Sequence, residues 1–123
     1  MLCPIILSYV VRTGTIDGSG DWWWHNQRNR TAVPSGRPNL IQLVNVKGIE
    51  VSGVTLQDSP FWCLHPVQSE DIHVHHIKIR SRMYAPNSDG VDPDSSKNVM
   101  IEYVRGLTVR CRRSLSCPCT GAR

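Results

Sequence analysis

Three segments of this chain repeat one pattern of apolar residues at offsets of 23 and 27 residues, and no other feature restricts the fold as much. They are Ile49-Glu50-Val51-Ser52-Gly53-Val54-Thr55-Leu56, Ile72-His73-Val74-His75-His76-Ile77-Lys78-Ile79 and Val99-Met100-Ile101-Glu102-Tyr103-Val104. Each reads apolar, any, apolar, two non-core positions, apolar. The alternation within each half is the period of a strand with one buried face. The two residues between the halves interrupt it, as a bend between two short strands does. β-Branched residues at the inward positions favour strand over helix. The offsets are too long for hairpins, and no helical pattern fills the gaps. A unit of this length therefore suits one coil of a solenoid, with its inward Ile and Val stacking on the next coil. The polar stretches Asn45-Val46-Lys47, Ser69-Glu70-Asp71 and Ser96-Lys97-Asn98 introduce the repeats with turn chemistry. The expected fold is all-β, a right-handed single-stranded parallel β-helix of about three to four coils. A β-sandwich is the competing architecture, but it asks for turn signals every ~8–12 residues, which the chain supplies less regularly.

A chain of 123 residues has room for one domain at most. Its net charge of +4 would suit a nucleic-acid binder, but Arg105, Arg110, Arg112, Arg113 and Arg123 supply +5, leaving −1 for residues 1–104. The body is close to neutral, and the arginines of the tail have almost no aromatic partners for base stacking, so no nucleic-acid partner is expected. Cys111, Cys117 and Cys119 crowd the same tail, with only Cys3 and Cys63 outside it. An odd number at irregular gaps is not a disulfide framework, and Cys117-Pro118-Cys119 is one residue too tight for a zinc knuckle. The apolar segment Met1–Val11 is too short to span a bilayer and lacks the basic start and small-residue cleavage site of a signal peptide; it reads as a buried strand. Asn29-Arg30-Thr31 is a glycosylation sequon, in itself a weak sign of secretion.

The densest polar constellation is Asn87-Ser88-Asp89-Gly90-Val91-Asp92-Pro93-Asp94. Three acids so close could hold calcium or supply a carboxylate to an active site, though the twelve-residue calcium loop with its closing acid is absent. Spacing alone also fits a solvated acidic turn, in which Asp92 and Asp94 share a face if the segment is a strand. His73 and His75 alternate with core positions and so face solvent, which argues against a metal site. His65, after Phe61-Trp62-Cys63-Leu64, either lines a cleft or caps a strand. Trp22-Trp23-Trp24 suits stacking on sugar rings or plugging the end of a core. Gly14-Thr15-Ile16-Asp17-Gly18-Ser19-Gly20 lacks the Lys-Ser/Thr of a phosphate loop and reads as tight turns between short strands.

Taken in order, these segments resemble the glycoside hydrolases of the polygalacturonase type, family 28, and the plant-like members in particular. The resemblance runs over residues 13–102: the Gly14–Gly20 stretch with Trp22–Trp24, then Arg37-Pro38-Asn39-Leu40, then Ser59-Pro60-Phe61-Trp62 with Leu64-His65-Pro66, then Pro86 to Ser96 around Asn87-Ser88-Asp89-Gly90. It implies a pectin-lyase-like solenoid that hydrolyses α-1,4-linked galacturonic acid in pectin with inversion, without a cofactor or a metal, in the cell wall or another extracellular setting. Asp89 takes the place of the carboxylate that activates the attacking water, and Asn87 that of its supporting amide. Ser88 replaces the commoner Thr and keeps the hydroxyl. Trp62 and His65 are the expected substrate contacts.

An inverting glycosidase needs a second carboxylic acid, ~6.5–9.5 Å from the first, to protonate the leaving oxygen. The family supplies it from a Gly-Asp-Asp motif one coil on, followed by His-Gly and Arg-x-Lys motifs. After Glu102 this sequence has no Asp, Glu, His or Lys; it continues Tyr103-Val104-Arg105-Gly106-Leu107-Thr108. The expected organisation is therefore a partial polygalacturonase-like β-helix over residues 1–104, with an unrelated, disordered Arg/Cys-rich tail over residues 105–123. A shifted reading frame, a retained intron or a wrongly placed gene end would give such a tail. The chain alone is expected not to cleave pectin; the alternative is a non-catalytic pectin-binding module. With its last coil uncovered, Val99, Ile101 and Val104 would face water. Non-specific self-association would follow, with no obligate protein partner and no membrane contact.

Overall fold

A computed structural model describes residues 13–30 and 36–106, and they form a short parallel β-helix. In chain order the elements are β1 (Gly14–Asp17), α1 (Asp21–Arg28), β2 (Ile41–Val44), β3 (Lys47–Ser52), β4 (Val54–Gln57), β5 (Leu64–Val67), β6 (Glu70–His75), β7 (Lys78–Arg80), β8 (Lys97–Glu102) and β9 (Arg105–Gly106). Every pairing is parallel. The strands sort into three faces: a four-stranded sheet β1-β4-β7-β9, a three-stranded sheet β3-β6-β8 and a two-stranded sheet β2-β5. Bridges from Leu64 to Val91 and from Val67 to Asp94 extend the last face to a third coil.

The register follows the sequence repeat. Ile49, Ile72 and Val99 stand in one column, and Val51, Val74 and Ile101 in the next. Leu56 stacks on Ile79. With Val54, Ile77, Leu64 and Val91 these side chains make the buried core. Val99, Ile101 and Val104 belong to it and are buried, contrary to the expectation that they face water. They point inward, so side chains of their own coil and the coil before it cover them laterally. On the outer side of β8 and β9 no further strand pairs among the described residues.

The interruptions of the alternation are corners, and the corners are stacked too. Asn45, Gln68 and Ser95 have φ of 54°, 49° and 49°; Gly48, Asp71 and Asn98 have 74°, 55° and 51°; Gly53, His76 and Tyr103 have 67°, 50° and 50°. Three columns of left-handed residues thus turn the chain at the same point in each coil. Outside glycine this conformation costs ~1–2 kcal/mol, least for Asn and Asp. A ladder of inward serines supports one corner: Ser69 Oγ accepts from Val46 N at 3.1 Å, and Ser96 Oγ accepts from Ser69 N at 3.2 Å.

Two expectations need correction. Trp22–Trp24 lie on α1, an eight-residue helix that the turn-rich reading of this region did not foresee. Arg105 and Gly106 continue the ladder, pairing with Lys78 and Ile79, so ordered structure runs past residue 104. Met1–Val11 and residues 107–123 lie outside the described residues. No helix among the described residues is long and apolar enough to cross a membrane.

Two substitutions check this architecture by thermal melting. Ile72→Ala should cost about 3 kcal/mol, the penalty of a cavity in a column fixed on both sides. Gln68→Gly, at an exposed corner, should instead add about 0.5 kcal/mol, because relief of the left-handed strain exceeds the added chain entropy.

Candidate functional site

The long loops joining the four-stranded to the two-stranded face carry the polar residues singled out in the sequence. The loop before β5 holds Trp62, and the loop after β7 holds Asn87 and Asp89. Backbone hydrogen bonds fasten one to the other: Cys63 N donates to Asp89 O at 2.8 Å and Leu64 N to Gly90 O at 3.1 Å. Since Leu64 bridges Val91, Asp89 stands in register with Trp62, one coil on. His65 is on β5, next along the chain from Leu64. The solenoid thus gathers Trp62, His65 and Asp89 on one flank, from residues separated by up to 27 positions.

The aromatic part is well defined. Trp62 stacks on Phe61 with centroids 4.6 Å apart and meets the His65 ring edge-on at 4.5 Å. His65 is only 8% exposed, and its Nδ1 lies 3.2 Å from Asn39 Nδ2. His65 lies within β5, nearly buried beside a partly open Trp62. Among the described residues Asn39 Oδ1 is buried without a hydrogen bond, and His65 is the side chain that holds this amide.

The acids divide. Asp89 is half-buried, Asp92 is 4% exposed and Asp94 is exposed; the register from Leu64–Val91 to Val67–Asp94 gives Asp92 and Asp94 the same strand parity, as expected of a strand, yet only Asp92 is covered. Both stand on one parallel ladder with β5: Asp92 N donates to Leu64 O, Asp94 N to Pro66 O, and Gln68 N returns a bond to Asp94 O. Asn87 is exposed in the left-handed region with φ of 51°. Ser88 is buried, its Oγ accepting from Ser81 Oγ at 2.9 Å, which ties the loop to the end of β7. Beneath Asp89 lies the Cys63 thiol, pushed up to about 11 by burial, with Asp89 and Asp58 adding repulsion and a Ser59 hydrogen bond opposing them. The described residues contain no grouping of three or more His, Cys, Asp or Glu able to hold a metal ion.

Three braces, which sequence reasoning did not single out as site residues, hold the loops. Arg37 donates Nη1 to Pro60 O at 3.1 Å and Pro86 O at 2.6 Å while lying over the Phe61 ring. It therefore joins both site loops, and burial holds its guanidinium below the usual arginine value. Trp24 is buried and donates Nε1 to Ser59 O at 3.1 Å; Tyr84 meets it edge-on. Trp22 by contrast is 60% exposed, so the tryptophan cluster splits between brace and surface. Asp21 receives Arg82 and the Tyr84 hydroxyl, each at 3.1 Å, closing α1 onto the loop that carries Asp89. Arg37 between Gly36 and Pro38, and Trp24 at the end of a run of three tryptophans, were the available signals, but their partners are carbonyl oxygens that no sequence pattern marks.

A family model described as glycosyl hydrolases family 28 matches residues 5–106. A probable polygalacturonase of Vitis vinifera is 42% identical over 89 residues, 72% of this chain and 18% of that protein. A polygalacturonase of Juniperus ashei is 36% identical over 95 residues, 73% of this chain and 19% of that protein. Among solved structures, a hyperthermoactive exopolygalacturonase from Thermotoga maritima superposes with a TM-score of 0.57 at 38% identity, over 65% of this chain and 18% of the other. The chain spans about a fifth of the length of these relatives.

Two outcomes check the bracing and the charge balance. Arg37→Met should cost about 1–3 kcal/mol, since two loop carbonyls lose their shared donor. Asp58 sits where burial, then Asp17 and Asp21, raise its carboxyl against the pull of Arg82. A carboxyl raised in the folded chain adds stability at low pH and loses it as the pH climbs through the folded value. Asp58→Asn should therefore matter little near pH 4 and raise the melting temperature near pH 7. The left-handed φ of 44° at this position also suits Asn. A larger loss at pH 7 than at pH 4 would contradict this.

Proposed function

Since this chain belongs to glycosyl hydrolases family 28, we propose that it forms the segment of a polygalacturonase that holds the water-activating carboxylate. The substrate is pectin or its de-esterified form, polygalacturonate, in the plant cell wall or another extracellular setting. Asp89 draws the proton from the attacking water and Asn87 supports its carboxylate. Trp62 lies against a sugar ring and His65 orients it from below. The observation that carries the reading is the pairing of the Asp89–Gly90 backbone with Cys63 and Leu64. That pairing sets the carboxylate of the Asn-Ser-Asp-Gly motif in register with Trp62 and next to the His65 strand.

Inversion at the anomeric carbon takes two carboxyl groups with opposite proton tasks, one on each face of the bond. Asp92, the acid nearest in sequence, is buried three residues on in the same coil, in register with His65. By this reading the polygalacturonase-like unit extends through Gly106, and the chain alone binds polygalacturonate without turning it over. Release of reducing ends from polygalacturonate is the measurement. We expect none above background for the parent chain. Turnover that Asp89→Asn abolishes would overturn the inactivity and keep the site. Calorimetry with galacturonate oligomers separates the non-catalytic binding module: Trp62→Ala should then weaken binding about tenfold, as loss of one ring contact does.

A further inference from the structure

The outer faces of the solenoid treat their charges differently. On the three-stranded sheet both lysines have partners, Lys47 with Glu70 and Asp71 and Lys97 with Glu70, and the His73 and His75 rings hydrogen-bond to Glu102 and Glu50. On the four-stranded sheet Lys78, Arg80 and Arg105 make no ion pair among the described residues. Lys78 and Arg105 are exposed cross-strand neighbours in strict register, and Arg80 lies two residues along β7 on the same side. Like charges placed directly across a ladder are destabilising. The ion pairs and histidine contacts of Asp21, Glu50, Glu70, Asp71 and Glu102 are made with other groups. The nearest acid on the sheet, Asp17, already accepts from Gln57 Nε2 at 2.9 Å, and that glutamine separates it from Arg80 in the column.

We propose that this face is a second binding surface, separate from the Asp89 flank, on which Lys78, Arg80 and Arg105 hold the carboxylates of a polyuronate chain. Its strands stack ~4.8 Å apart, so Thr15, Thr55, Lys78 and Arg105 form a polar column along the solenoid axis. Such a column matches a linear polymer with one carboxylate and several hydroxyls per sugar: the cations meet the former and the threonines the latter. The outward positions carry no aromatic ring for a base to stack on, which disfavours a single-stranded nucleic acid. The choice of a polyuronate among polyanions rests on the function proposed above. The net −1 of residues 1–104 conceals this surface, because Arg105 falls outside that count and Asp17 is the one acid in the strands of this sheet.

The test uses the full chain and a labelled oligogalacturonate, followed by anisotropy at low and at physiological salt. The parent should bind, more weakly as salt screens the contacts. The double variant Lys78→Gln with Arg105→Gln should lose about tenfold in affinity, Lys78→Arg should keep it, and the melting temperatures should match. Parent-like affinity in the double variant, no binding by the parent, or equal binding of a single-stranded RNA would each overturn the proposal. The outcome is distinguishable from failure of the Asp89 reading. Loss of binding in Trp62→Ala with an unaffected double variant keeps the groove and rejects this face. The reverse pattern keeps this face and rejects the groove.

Discussion

In-register stacking of one coil on the next is the constraint from which everything else in this molecule follows. Each coil is too thin to bury its own apolar side chains, so Ile49, Ile72 and Val99 exist as a column or not at all. A slip of one residue in any strand would turn its whole inward set outward. The left-handed corners make such a slip costlier still, because Gly53, His76 and Tyr103 must turn at the same height. His76 and Tyr103 go further and stack their rings at 4.8 Å, so even an exposed corner takes part in the alignment.

The site inherits its geometry from that stacking. Its loops differ in length, with four residues added between the second and third coils, yet Cys63 and Leu64 still meet Asp89 and Gly90 because the flanking strands fix both ends. The longer loop is kept in place by groups from elsewhere in the chain: Arg37 from one side, and α1 with Trp24, Asp21 and the Tyr84 contacts from the other. Gly20 permits the closeness of that second brace, since a Cβ there would lie 2.5 Å from the Trp24 ring and 2.7 Å from Asp58 O. The rigid solenoid thus supplies position, and the variable loops supply chemistry.

Much of the fold was legible in the residues. Alternation, β-branched columns and offsets of 23 and 27 residues suffice for a parallel β-helix, because a solenoid repeats its hydrophobic pattern wherever it repeats its backbone. The helix α1 was not legible. Eight residues with a mixed face give no 3.6-residue signal, and its cohesion comes from Trp24 reaching Ser59 O rather than from its own sequence. The buried state of Val99, Ile101 and Val104 was also misjudged, because lateral contacts within a coil depend on closure of the coil and not on the pattern of any one strand.

The candidate site divides in the same way. Sequence alone determined which residues could carry chemistry, since Asn87-Ser88-Asp89-Gly90 and the Trp62–His65 segment are chemically distinctive where they stand. It determined the coil repeat too, because hydrophobic periodicity is a local property that survives in the linear order. Only the tertiary structure decided that Asp89 bonds back to Cys63 in register with Trp62, that Asp92 is covered while Asp94 is exposed, and that Lys78 and Arg105 face each other across the ladder. These are relations between coils. They depend on how loops of unequal length are brought back into register, and that is fixed by backbone hydrogen bonds whose donors and acceptors are the same in every residue.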